Sequence, residues 1–394
     1  MTSRMHQLIR RVPRSALVVA AIAGGFGSIS VAPAAAAAHQ AGAVTAGAPR
    51  FLAQSVSFIS NDAGWLLGAA RCRSGWCTAV RRTADRGHTW TAVSAPPARI
   101  SGDGSSLDHI TELVAAGPLD LFAFRPGLWS SHDGGTRWEP VRLPGPVVAL
   151  AAGGSAVYAA VMPCYQVAQR CERGGHLYRS PIGRDDWRRV PGPVLSPLSS
   201  PELTVHGSAV VLLAAGASAS PLLVAPDGDH FARRRQPCPS ALAEGGMAPV
   251  GLAASGPTDL AILCAGNAGA GSAQKSVYVS TDAARTFHRI ADPPLGGDPG
   301  QMAAASPTTF VVAAASGASW LYRTVGHDTR WTTARRFGDG GVGFTDLGFS
   351  DRLHGAAIYG EASVAESVTG QPPPLPGVVY LTNSGGRTWF PIAG

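Results

Sequence analysis

Apolar residues in this chain fall in short runs, cut apart by glycine, proline and small polar residues. Residues 148–152, 210–215 and 310–315 are the plainest examples. Runs of that length, bounded by turn residues, read as strands buried on both faces. Between the runs recurs one polar phrase, Ser131-His132-Asp133-Gly134-Gly135-Thr136-Arg137-Trp138. Leu128 and Trp129 lead into it, and residues 139–141 lead out. The composition predicts a tight turn with a strand on either side. The Asp133 carboxylate accepts from nearby backbone N–H groups, and the glycines tolerate positive φ. Trp138 then opens the outgoing strand with a large apolar body to bury.

The phrase is repeated. Thr83-Ala84-Asp85-Arg86-Gly87-His88-Thr89-Trp90 is the fullest copy. Ser280-Thr281-Asp282-Ala283-Ala284-Arg285-Thr286-Phe287 keeps the Asp and puts Ala at the glycine. Thr382-Asn383-Ser384-Gly385-Gly386-Arg387-Thr388-Trp389 keeps the glycines and has Ser for the Asp. Worn copies occupy 180–187, 225–231 and 324–331. The closing aromatics are Trp90, Trp138, Trp187, Phe231, Phe287, Trp331 and Trp389, spaced 44 to 58 residues apart. Self-similarity at about 50 residues marks an architecture of like units, each too thin to bury both of its faces alone.

The phrase S-x-D-x-G-x-T-W resembles the Asp-box of the BNR or sialidase-type β-propellers. Seven copies at this spacing resemble the seven-bladed propellers of the photosystem II assembly factor family and related secreted proteins, over residues 51–394. The resemblance implies an all-β fold: a single seven-bladed β-propeller of four-stranded antiparallel blades, with Asp-box turns between third and outer strands. Unit one shows the four strands at 55–59, 65–70, 78–83 and 89–93. The box residues Asp85, Gly87, Trp90, Asp133, Gly135, Trp138, Asp282, Phe287, Gly386 and Trp389 are then expected to serve architecture at the blade periphery. Two closures of the ring stay open. Residues before Phe51 complete the last blade, or blades one and seven pack face to face.

Residues 1–38 read as a signal peptide: Arg4, Arg10, Arg11 and Arg14 precede an apolar run too short to span a bilayer, and 34–38 offers A-x-A cleavage points. Arg10-Arg11 does not complete a twin-arginine motif. Residues 39–50 read as a flexible small-residue linker. The expected location is secreted or extracytoplasmic, in the cell envelope, with no transmembrane segment after signal removal. The leader holds four arginines and no acids, so a net charge of +7 falls to +3. That mild surplus does not argue for nucleic acid, and no nucleic-acid partner is expected. Six cysteines in an exported chain predict disulfides. Proximity pairs Cys72 with Cys77 and Cys164 with Cys171, each within one hairpin, and Cys238 with Cys264 across neighbouring blades. No spacing fits a zinc site.

Candidate chemistry is thin. Each box offers at most one carboxylate, short of the several oxygens a calcium loop needs, so no metal and no cofactor is expected. Sialidases would carry three arginines, a Tyr–Glu pair and an F/Y-R-I-P motif. The nearest fragment is Phe124-Arg125-Pro126, and Tyr178, Tyr278, Tyr322 and Tyr380 all precede boxes in third strands. The acids outside the boxes, Glu112, Glu202 and Asp346 among them, show no spacing that predicts convergence. Arginine pairs at 81–82, 188–189, 233–235 and 335–336 are expected to blunt exposed strand edges. His88, His132, His230, His288 and His327 are expected at solvated turns. Residues 162–175, 265–274 and 361–377, the last containing 372–376 (Pro-Pro-Pro-Leu-Pro), are expected as long loops on one rim, where binding usually resides. The expected function is a non-catalytic binding scaffold for an unknown protein or cell-envelope partner. The alternative is a sialidase-like glycoside hydrolase or glycan-binding propeller working at the central channel.

Overall fold

The apolar run 148–152 becomes a first strand, and 210–215 and 310–315 become second strands, of seven antiparallel sheets, each built from four strands consecutive in the chain. The computed structural model describes residues 51–73, 75–100, 108–164, 174–195, 200–215, 221–239, 246–325, 330–340, 342–360 and 377–392. Blade one runs Phe51–Phe58, Gly64–Cys72, Gly75–Thr83, Thr91–Val93. Blade seven runs Phe344–Phe349, Gly355–Tyr359, Val378–Thr382, Phe390–Ile392. The first strands of the intervening blades are Glu112–Ala115, Val147–Gly153, Ser200–His206, Ala248–Ala254 and Asp298–Ser306. Each neighbours the next, and Phe51–Phe58 neighbours Phe344–Phe349, so the first strands ring the axis. The fold is an all-β, seven-bladed propeller.

The second strands alternate between two seams, because successive side chains point to opposite faces. Leu66 packs with Ile358 and Val379 of blade seven, while Trp65 and Leu67 pack with Leu113 and Leu121 of blade two. Every closing aromatic lies in the seam with the preceding blade: Trp90 against blade seven, Trp138 against blade one, Trp187 against blade two, Phe231 against blade three, Phe287 against blade four, Trp331 against blade five, Trp389 against blade six.

Among the described residues the ring closes without strand exchange. Blade seven takes all four strands from its own segment, and blades seven and one meet face to face. Local boundaries differ from the sequence reading. The inner strand of blade one starts at Phe51, four residues earlier than expected, beyond a bulge between Ala53 and Ser55 that breaks the alternation. Cys72 and Cys77 sit in paired strands rather than in a loop. Residues 265–274 are likewise mostly hairpin, with Leu260–Gly269 and Ser272–Ser280 turning at Ala270-Gly271. Most of 162–175 and 361–377, with the proline run, lie outside the described residues. A two-stranded parallel pair, Arg99–Ile100 with His109–Ile110, links blades one and two, outside the four-strand plan of the repeat.

Candidate functional site

The repeated corners connect third and outer strands, and their side chains close on themselves. In blade two, the Ser131 hydroxyl accepts from Gly135 N–H at 2.9 Å, and Asp133 Oδ1 accepts from the N–H groups of Thr136 and Arg137 at 2.9 Å each. Asp85 and Asp282 accept from Thr89 and Thr286 N–H at 2.9 Å in the same way. In blade seven Ser384 replaces the carboxylate and accepts from Thr388 N–H at 3.0 Å. Gly87, Gly135 and Gly386 hold φ of 79°, 90° and 78°. Ala284 takes that place at 62°, at a cost of about 1–2 kcal/mol that burial of its methyl partly offsets. Hydrogen bonds from the corner hold Asp85 and Asp133 down to about 2, and Asp227 and Asp282 lower still. None of these corner aspartates lines the channel cavity described below.

Of the histidines expected in solvated turns, His88, His230 and His288 are exposed, and His327 lies outside the described residues. His132 departs from the expectation. It is half-buried between two acids, Nδ1 at 2.7 Å from Asp120 Oδ1 and Nε2 at 3.3 Å from Asp185 Oδ2 of the next blade. Burial opposes charge on the ring, but the two carboxylates outweigh it and raise its pKa.

Disulfides join Cys72 to Cys77 and Cys238 to Cys264, the latter stapling blade four to blade five. Cys164 is also disulfide-bonded, and Cys171 lies outside the described residues. Arg188–Arg189, Arg233–Arg234 and Arg335–Arg336 sit in outer strands, but Arg81–Arg82 sit in a third strand paired on both sides rather than at an edge. Arg81 lies over Phe51 at 4.4 Å, Arg82 over Trp65 at 5.5 Å and Arg335 over Phe337 at 4.7 Å. Among the described residues no group of three or more His, Cys, Asp or Glu is placed to hold a metal ion.

Three acids with no sequence spacing in common meet at the axis. Glu112, Glu202 and Asp346 line a channel cavity of about 350 Å³, with Gln301 and an apolar wall that includes Leu150, Leu203 and Met302. Burial raises Glu202 to about 7, and burial with the neighbouring Glu112 raises Asp346 to about 7. These groups are engaged. Asp346 Oδ2 accepts from Val56 N–H of blade one at 2.7 Å, and Gln301 Oε1 from Leu347 N–H of blade seven at 2.8 Å. Glu202 accepts from Leu252 N–H of blade five, and Ser55 Oγ from Leu113 N–H of blade two at 2.9 Å. In each case a polar residue just before the inner strand's apolar residue reaches the equivalent N–H one blade on. Ser55, Glu112, Glu202, Gln301 and Asp346 occupy that place in five repeats, and Ala149 and Gly251 in the other two. Superposing the repeats was the signal that could have found them. Glu112 instead pairs with Arg125. The described channel lining includes no tyrosine and no arginine, so a three-arginine clamp with a Tyr–Glu pair does not form there.

The larger opening is the seam where the ring closes. A cleft of about 800 Å³ runs between blades one and seven, walled by Phe58, Phe349, Phe390 and Ile392. Its polar lining includes Asn61, Arg86, His88, His354 and Asn383, and Asp346 lines both this cleft and the channel. Phe390 is 42% exposed. A cleft of this size, apolar with a few polar groups, suits a small molecule or a peptide side-chain cluster.

No family model and no curated protein matches the chain. Among solved structures it is similar to YCF48 from Cyanidioschyzon merolae, with a TM-score of 0.51 at 15% identity over 85% of this chain and 96% of that one. A structure of YCF48 bound to D1 peptide gives 0.38 at 13% identity, over 67% and 90%. The periplasmic gluconolactonase PpgL of Pseudomonas aeruginosa gives 0.47 at 14% identity, over 72% and 84%. At such identities the likeness to the first is one of fold: this chain shares a β-propeller with it.

Proposed function

We propose that this chain is an exported, non-catalytic propeller that acts as a binding scaffold for a protein or cell-envelope partner, received in the cleft between blades one and seven. The carrying observation is the cleft itself, with aromatic walls and an exposed Phe390 at the one seam the chain does not cross. Two disulfides support an oxidising compartment. In this reading residues 1–38 are removed on export, 39–50 are a linker and 51–394 form the propeller. The box aspartates and tryptophans serve architecture alone.

The competing reading is a glycan-directed hydrolase, favoured by the three carboxylates at the axis. Glycoside hydrolysis needs two carboxyl groups free to act as acid and as nucleophile or base. Here Asp346 and Glu202 hold neighbouring blades and Glu112 holds Arg125, which favours the scaffold. A photo-cross-linking residue at Asn383, beside the cleft, is expected to capture a discrete partner from the native envelope. The same residue at Arg142, away from it, is expected to capture none. Equal products at both places would sink the proposal. Turnover of a fluorogenic sialoside panel, lost in Glu202→Gln, would move the assignment to the hydrolase.

A further inference from the structure

The lining of the seam cleft includes two aromatic rings in equivalent places on blades one and seven, and it has a charged floor. Phe58 and Phe349 each end the inner strand of their blade and each lie edge-on to the closing tryptophan of their own corner, Trp90 and Trp389, with ring centroids 6.2 Å apart in both pairs. Each ring is held from behind by the glycine that opens the second strand. A β-carbon on Gly64 would stand 2.6 Å from the Phe58 ring, and one on Gly355 2.7 Å from the Phe349 ring. Rings fixed in this way need little ordering when something binds against them.

Asp346 forms the floor, and it is the charge in the cleft with no counter-charge of its own. Arg86 bonds Asp62 at 2.7 Å. His354 Nδ1 lies 3.0 Å from Asp351, and His88 Nδ1 faces the carbonyl of Asp85 in its own corner. The partners of Asp346 are neutral donors, the Val56 N–H and the Ser55 hydroxyl. The charged groups near it are Glu112 and Arg125, and those two pair with each other.

We propose that this floor is a subsite for a basic side chain, arginine or lysine, on a segment of the protein partner, its aliphatic stem along the cleft's aromatic lining at Phe58 and its cationic head at Asp346. The proposal rests on the scaffold reading above and names the chemistry of that partner. Long basic side chains bury their stems on apolar surface and keep the charged end for a carboxylate, and an aromatic wall adds cation–π attraction. An acidic segment would set like charge against Asp346. Burial first, and Glu112 second, raise the Asp346 carboxyl to about 7. An arriving cation stabilises the ionised form, so the subsite is strongest above that value and fades as Asp346 takes a proton below it.

The Val56 amide donates to Asp346 and reports on it directly. With ¹⁵N-valine-labelled protein, three probes share one pentyl stem and differ in head: pentylguanidinium, pentanol and hexanoate. Pentylguanidinium is expected to shift the Val56 resonance saturably, at least fivefold more tightly than either other probe. It is expected to lower the midpoint of the Val56 pH titration by about one unit or more. Asp346→Asn keeps an acceptor for Val56 and is expected to erase the preference for the cation. In the wild type, weakening on going from pH 8 to pH 5.5 tests the same point without a variant. Equal binding of pentanol overturns the basic subsite and leaves the cleft a binding place. No saturable response to pentylguanidinium also overturns the subsite, and the Asn383 cross-link then judges the scaffold separately.

Discussion

Asp133 illustrates how a single side chain closes a blade corner. Its carboxylate takes two backbone N–H bonds at 2.9 Å and the Arg137 guanidinium at 3.0 Å, which hold its carboxyl down to about 2. A depressed acid adds stability above its ordinary value near 4 and loses it as pH falls toward 2. The melting temperature of Asp133→Asn is therefore expected below wild type at pH 7, with the gap closing between pH 4 and pH 2. A gap that stays constant to pH 2 would remove the carboxylate from the account. Lys275 is the opposite case, a buried cation bonded to carbonyls, with Asp298 near enough to offset part of the cost of burial. It is the only lysine in the chain and is fully buried. Its ammonium donates to the carbonyls of Ala273, Leu295, Gly296 and Gly297 at 2.6 to 3.2 Å, tying blade five to the segment that enters blade six. Burial lowers its pKa to about 8 despite the carbonyl cage. Amine-reactive labelling followed by mass spectrometry is expected to modify the α-amino group of the native protein alone, and Lys275 as well once denaturant unfolds it. Rapid labelling of native Lys275 would show that the cage opens locally.

Each corner delivers its aromatic to a seam, so the element that matters is the corner with the blade before it. Trp138 Nε1 donates to Ser94 carbonyl of blade one at 2.9 Å, and Trp331 Nε1 to Ala291 carbonyl at 2.6 Å. Trp90 repeats the placement against blade seven, yet its Nε1 is buried with no acceptor. A buried donor left unpaired costs about 1–3 kcal/mol, whereas a made bond contributes about 1. Trp138→Phe is therefore expected to destabilise more than Trp90→Phe by about 1–2 kcal/mol in chemical denaturation. Equal losses would mean that Trp90 has water or chain to bond. The seven aromatics were legible because large side chains at regular spacing survive even where Asp and Gly are lost, as at Trp187 and Phe231. The strand limits were less legible. At Ser55 and Gln301 a bulge shifts the register, so apolar alternation breaks inside a continuous strand. The axial acids carried no local signature, because Glu112, Glu202 and Asp346 arrive on three different inner strands.

Around the whole ring, the seams are tied unequally. Blades one and two share bonds from Leu113 and Ala115 N–H to Ser55 and Ser57. Blades two and three share the His132–Asp185 contact, and blades three and four the Arg179–Asp229 pair at 2.7 Å. Cys238–Cys264 staples four to five, and Lys275 with Trp331 ties five to six. Gln301 and Arg323 tie six to seven. Blades seven and one have no connecting chain, an unpaired Trp90, a cleft of about 800 Å³ and one strong polar tie, Asp346 to Val56. That tie also carries the cost of a buried charge. An acid whose pKa is raised from its ordinary value to about 7 binds more protons in the closed ring than in an open one. The closed seam is therefore favoured at low pH, and the cost of the charge accrues from about pH 4 and is complete above pH 7. Gln301 provides an untitratable control, since Leu347 N–H makes the equivalent bond to an amide. In hydrogen exchange corrected for intrinsic rates, protection of the Val56 amide is expected to fall at least tenfold between pH 5 and pH 8, while that of Leu347 stays level. Parallel loss at both amides would point to loosening of the whole ring, and no loss at either would show that the carboxylate is not what sets the opening of this seam.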